Sequence, residues 1–405
     1  MTRTNILDSL IDPDIMNIPL RVTNYDHTKI VKYLQEVQTR NTNKDFGVCQ
    51  YTHGVTATTF AYKGGVYSPF HNRIYFVPSN QGASSIWHYV DCNTGEVVVY
   101  TGLILNTGAF SGGAYSPTEN KTYFAPLGAA DSGIWVRING YDGAGYATYS
   151  GTAANNAYAG AVYSPTLDRI YFVPRWQVTA STWHYVDCAT GTAVSYAHGT
   201  SYNSDKYWGG CYSPNQNRIY FSPNEITTYA NWHYIDCTDG SVQYYAHGTS
   251  GLVAGSYIGM VYSPTQDRIY FVPYNQSDVA TWHYIDCSDG SVVGYSHGTG
   301  ITTDQAFWGG VYSPLTNRIY LVPSAVMSTW YYIDCDDGSV VGYDHETTSM
   351  VDGGYRGGTY SPTQNRIYLS PANQGAQTTW HYIQEYSDER LPAGLFTSLV
   401  QSGGI

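Results

Sequence analysis

One pattern of apolar and polar positions returns along the chain. It reads VYSPFHNRIYFVP at 66–78, VYSPTLDRIYFVP at 162–174, VYSPTQDRIYFVP at 261–273, VYSPLTNRIYLVP at 311–323 and TYSPTQNRIYLSP at 359–371. The Tyr-Ser-Pro tyrosines are Tyr67, Tyr115, Tyr163, Tyr212, Tyr262, Tyr312 and Tyr360, spaced by 48, 48, 49, 50, 50 and 48 residues. Within one unit, 259–299, the pattern divides into GMVYSP, the turn TQD, RIYFVP, the polar loop YNQSDVA, TWHYIDC, the tight turn SDG and SVVGYSHG. The apolar residues do not recur at a 3.6-residue period, so a helical solenoid is excluded. Four short antiparallel strands in a unit of about 49 residues predict a propeller blade. The fold expected is therefore all-β, a seven-bladed propeller with four antiparallel strands per blade.

The chain ends indicate how the ring closes. The seventh unit has GGTYSP, RIYLSP and TTWHYI, then runs into QEYSDERLPAG with no fourth strand. FGVCQYTHGV at 46–55 resembles the fourth strand SVQYYAHGTS at 241–250. An N-terminal outer strand completing the last blade would leave no gap in the ring. The expected organisation is an N-terminal extension with a short helix at 1–45, a propeller at 46–386 and a C-terminal tail at 387–405. The order Gly-x-x-x-Ser-Pro, Arg-Ile-Tyr, Ile-Asp-Cys-x-Asp-Gly and Val-Val resembles the YVTN-type surface-layer propeller repeat, and the Gly-Gly doublets resemble kelch repeats. The resemblance covers about 46–386 and implies the fold. It implies no single activity, because such propellers include binding modules, scaffolds and a few lyases, and fold does not dictate function.

Composition narrows the partners. Charged residues are only 12 %, yet aromatics reach 16 % with 42 tyrosines, which argues against disorder. The net charge of −12 argues against nucleic acid, which calls for a basic face. There is no apolar run of about 18 residues for a membrane span and no secretory signal pattern at the N-terminus. The expected location is cytoplasmic or virion-associated.

Most chemistry-bearing residues keep the repeat. Arg73, Arg169, Arg218, Arg268, Arg318 and Arg366 open the second strand, and Asp91, Asp187, Asp236, Asp286 and Asp334 close the third. Each Arg is expected to pair with Asp or with turn carbonyls, and blade two changes both, to Lys121 and Asn139. A tryptophan in every third strand reads as core. The histidines form two repeated sets, one after that tryptophan (His88, His184, His233, His283, His381) and one in the outer strands (His53, His198, His247, His297, His345). Like residues in separate blades cannot converge on one ion, so no metal or cofactor is expected. Cys92, Cys188, Cys237, Cys287 and Cys335 also fall one per blade and read as small apolar fillers. No nucleophile, base and orienting group stand out as a catalytic set.

The two faces of the disc differ. Turns between the first and second strands (PTQNR, PNQNR, PLTNR), and between the third and fourth (CSDGS, CTDGS, CDDGS), are short and repeated. Loops on the opposite face are long and unlike one another, as in VPRWQVTAST and SPNEITTYAN, so that face is expected to bind. Seven aromatics enter the innermost strands there, Tyr62, Phe110, Tyr158, Tyr207, Tyr257, Phe307 and Tyr355, with packing between blades the favoured reading and a contact rim the other. Beside them stand the unrepeated Lys63, Trp208, Trp308 and Arg356, with Trp176 alone in its loop. The leading expectation is a non-enzymatic interaction or structural propeller, held through its tails to itself or to a larger assembly such as a phage or virus particle. A glycan-binding propeller and a lyase or hydrolase at the channel mouth are the alternatives.

Overall fold

The computed structural model describes residues 45–386 apart from 131, 140–142, 144, 177–180, 200–206 and 225–228. The expected N-terminal helix and the C-terminal tail lie outside the described residues. Among the described residues there are seven four-stranded antiparallel sheets. Blade one runs Tyr62–Ser68, Arg73–Pro78, Ile86–Asp91 and Val97–Thr101, counted from the axis outward. Blades two to six repeat this order. In blade seven, Tyr355–Ser361, Arg366–Pro371 and Thr379–Glu385 are followed outward by Phe46–Thr52 from the start of the ring. That last pairing runs in register from Phe46 opposite Glu385 to Thr52 opposite Thr379.

The repeated residues explain why each blade forms. The Tyr-Ser-Pro tyrosine donates its hydroxyl to the Asn or Asp five residues on, as in Tyr115 to Asn120 at 2.7 Å and Tyr262 to Asp267 at 2.9 Å. That Asn or Asp lies in the left-handed region in every blade, for example Asn72 at φ 50° and Asp267 at φ 51°. These residue types tolerate that conformation, and the tyrosine holds it. The third-strand tryptophans are 0–4 % exposed. Truncating one would cost roughly 3–5 kcal/mol. In five blades an outer-strand histidine stacks flat on the tryptophan, as His247 does on Trp232 with centroids 4.1 Å apart. Blades one and two place Gly102 and Gly151 there, where a Cβ would fall 2.2 Å from Trp87 and 2.4 Å from Trp135.

The expected pairing with aspartate is seen at Arg318 and Asp334, 3.8 Å apart, whereas the contact the second-strand arginines share is with a ring. Arg73, Arg169, Arg218, Arg268, Arg318 and Arg366 each lie over the third-strand tyrosine of their own blade, 4.3–4.5 Å from its centroid. In blade two the guanidinium comes from the third strand. Arg137 takes the tyrosine's place and donates to Tyr123 and to the Gly191 carbonyl of blade three, while Lys121 pairs with Glu119 at 2.6 Å.

At the axis the blades meet through glycine. Gly64, Gly112, Gly160, Gly209, Gly259, Gly309 and Gly357 all have positive φ and sit where the register between the first two strands shifts. A Cβ on each would lie 2.8–3.7 Å from the Cα of the next, under 3.4 Å at all but Gly259, so the seven form a closed backbone hoop with little room for side chains.

Candidate functional site

The hoop sorts the candidates. Five residues before each anchor tyrosine, the repeated aromatic turns into its own blade. Tyr207, Tyr257, Phe307 and Tyr355 are 0–1 % exposed. The hydroxyls of Tyr207 and Tyr257 bond Nδ1 of His233 and His283 at 2.6 Å, and Tyr355 does the same with His381. Phe307 instead meets Tyr331 edge-on at 6.0 Å. The structure thus gives these four rings a packing place and not the rim place. The histidines after the tryptophan are their partners, and burial pulls His88, His283 and His381 down to a pKa of about 4.

The next residue in each blade precedes the hoop glycine. These are Lys63, Ser111, Ala159, Trp208, Ile258, Trp308 and Arg356. Four of them converge. Trp208 and Trp308 meet edge to face, with centroids 5.5 Å apart, across the intervening blade. Arg356 lies 4.0 Å above the Trp308 ring and 4.7 Å from Phe60. Lys63 reaches from blade one to within 5.9 Å of Trp208 in blade four. Two residues beyond the sequence-based set join them. Arg175 stacks 4.1 Å over Trp208, and Tyr274 lies 5.0 Å from Trp308 while donating to Gln305 at 2.6 Å. Trp176 is 48 % exposed and stands apart, with no ring contact among the described residues.

Burial, then the charges of Arg356 and Arg175, lower the Lys63 ammonium to a pKa of about 7. Burial also lowers Arg356, and its Nε is enclosed without a hydrogen-bond partner among the described residues. No described carboxylate forms an ion pair with Lys63 or Arg356. The indole faces offset part of the desolvation by cation–π attraction, worth about 0.5–2 kcal/mol each.

Comparison with known proteins gives the fold and no family. No family model matches the chain, and no curated protein matches it. Solved propellers do. A structure of the mitotic checkpoint complex aligns with a TM-score of 0.58 at 10 % identity, covering 84 % of this chain and 91 % of that one. The Cps50 (Swd1) β-propeller domain of Myceliophteria thermophila gives 0.56 at 10 % identity, covering 82 % and 100 %. A YCF48 structure with a D1 peptide bound gives 0.54 at 8 % identity, covering 85 % and 96 %. The YVTN-type and kelch resemblance therefore stands on its repeat residues alone.

Arg175 and Tyr274 were findable in the sequence. Each follows the proline that ends a second strand, where other blades carry Ser79, Leu127, Asn224, Ser324 and Ala372. Aligning on that proline isolates them as departures. The long loops are also less individual than they read. Gln81, Gln276 and Gln374 clamp a shared turn in blades one, five and seven, each donating to the carbonyl five residues on. The loops of blades three and four contain residues outside those described.

Proposed function

We propose that this chain is a non-enzymatic interaction module whose working surface is the long-loop face around the channel mouth. One observation carries the reading. Residues that keep the repeat serve the scaffold, whereas the departures Lys63, Arg175, Trp208, Tyr274, Trp308 and Arg356 gather at one place. A packing role alone gives no reason for two repeat positions to break pattern in six blades and for the departures to meet. Half-buried tryptophan and arginine are also the side chains that anchor protein interfaces.

The tails extend the proposal. The closing strand starts at Phe46 and the strand it pairs with ends beside it at Glu385, on the side of the short turns. Residues 1–45 and 387–405 fasten the propeller to a larger assembly, of which a phage or virus particle is one kind. The long-loop face then points away from the attachment. A glycan partner is the second reading, which the content of 42 tyrosines and 10 tryptophans would suit.

A photo-reactive amino acid placed at 176 on the long-loop face, or at 289 on the short-turn face, tests this in the native source. Adducts of defined mass are expected from 176 and not from 289. Trp208→Ala with Trp308→Ala should weaken the captured partner by about 2 kcal/mol or more. A partner that cross-links only from 289 overturns the proposal.

A further inference from the structure

We infer that the channel mouth, beside Trp208 and Trp308, is a binding site for an oxyanion, the carboxylate or phosphate group of a ligand. The inference rests on the functional reading above and specifies what that surface recognises. Three cations from three blades crowd two neighbouring indoles: Lys63 and Arg175 at Trp208, and Arg356 at Trp308. The chain as a whole carries 31 acids against 19 bases, so three clustered cations are not what its composition supplies by default. Like charges in a desolvated place repel, and each raises the free energy of the others. Among the described residues no carboxylate pairs with Lys63 or Arg356, and the Arg356 Nε has a donor to spare. An anion entering the mouth would meet all of these terms with one group. Guanidinium donors form charge-assisted, forked hydrogen bonds to carboxylate and phosphate alike.

The site has its own signature in pH. The groups around Lys63 are the Arg356 guanidinium, the Arg175 guanidinium and the Trp208 ring, with Tyr274 facing Arg356 and Asp304 near Tyr274. Burial, with Arg356 and Arg175, lowers Lys63 to a pKa of about 7. A bound anion favours the ammonium form, so binding takes up a proton above that pH. Affinity is highest below pH 7 and falls as pH rises through it. Between pH 6 and 8 the charged fraction drops about tenfold, and the apparent dissociation constant should rise by about the same factor.

Calorimetry and thermal unfolding of the full chain test this, with sulfate, inorganic phosphate and acetate as probes against chloride at equal ionic strength. Sulfate serves for the pH series because its charge is constant there. A saturable heat and a rise in melting temperature are expected at millimolar anion. Arg356→Gln should weaken binding at least tenfold, and Lys63→Met should remove the dependence on pH. Unliganded melting temperatures of both variants confirm that they fold, and Arg356→Lys, which retains the charge, should recover part of the affinity. The stronger of the phosphate and acetate responses assigns the headgroup. No saturable response to any probe, or a response unchanged in both variants, overturns the inference. Cross-links from position 176 that persist alongside a failed anion response would remove the oxyanion and leave the interaction surface standing.

Discussion

At the residue scale, pairs that change together show which contacts matter. Where the inner strand carries tyrosine, the third strand carries the histidine it bonds, as with Tyr257 and His283. Where the inner residue is Phe110 or Phe307, the partner position holds Val136 or Tyr331. A hydroxyl and an imidazole are buried together or not at all, because a lone buried polar group costs about 1–3 kcal/mol. Tyr257→Phe should therefore lower unfolding free energy by that amount in urea melts. The double variant Tyr257→Phe with His283→Val, which copies blade two, should recover at least half of the loss. A double variant no better than the single would show that the pair is not one unit. This pairing was present in the sequence, since both histidine exceptions fall in the two phenylalanine blades. It goes unseen while the two motifs are compared separately. The arginine–tyrosine stacks could not be read that way. They depend on which side chains share a face across two strands, and register supplies that.

At the element scale, the closing ladder replaces what the repeat omits. Glu385 occupies the position of the buried cysteines in other blades and accepts hydrogen bonds from Ser313 and Thr316 of blade six. Phe46 packs edge-on against Tyr320, Tyr332 and Tyr343, with Arg318 5.6 Å from its ring. Deleting residues 1–54 removes this strand and bares the edge of Thr379–Glu385. A chain lacking only 1–44 keeps the strand. The first deletion should aggregate or melt at least about 10 °C lower, and the second should melt within a few degrees of the full chain. Equal melting of the two would contradict closure by Phe46–Thr52. The closing strand was legible because FGVCQYTHGV matches a fourth strand. The role of Glu385 was not, because it appears in sequence only as a missing cysteine.

For the whole molecule, the repeated histidines make the fold sensitive to acid. Burial first, and then a neighbouring histidine, lowers His88, His283 and His381 to about 4, and burial lowers His53, His184 and His297. Unfolded histidine titrates near 6.5, so the unfolded chain binds more protons between these values. The contribution is complete above pH 6.5 and is lost as pH falls from 6.5 through 4. Glu385 acts in the opposite sense, since burial raises its pKa and its contribution falls as pH rises above the usual glutamate range. One carboxylate is outweighed by six imidazoles. Calorimetric scans should show the melting temperature dropping steadily from pH 7 to pH 4. A flat profile would contradict the buried neutral imidazoles. The architecture of the disc was legible because each blade restates it. The channel-mouth cluster was legible only in part, because its six members sit far apart in the chain and come together only when the ring closes.

That closure also decides how the disc bears load. Phe46 and Glu385 are partners at one end of their ladder. Force that draws the two chain ends apart would act on that pair first and open the seven pairs in succession, like a zip. A ladder loaded in that direction yields at low force, unlike strands pulled along their length. Force applied to both ends together, from a single attachment point, would leave the ladder unstrained and draw the disc along as one body. A propeller held at one point by both ends can thus be pulled hard without coming open, and one stretched between two points cannot.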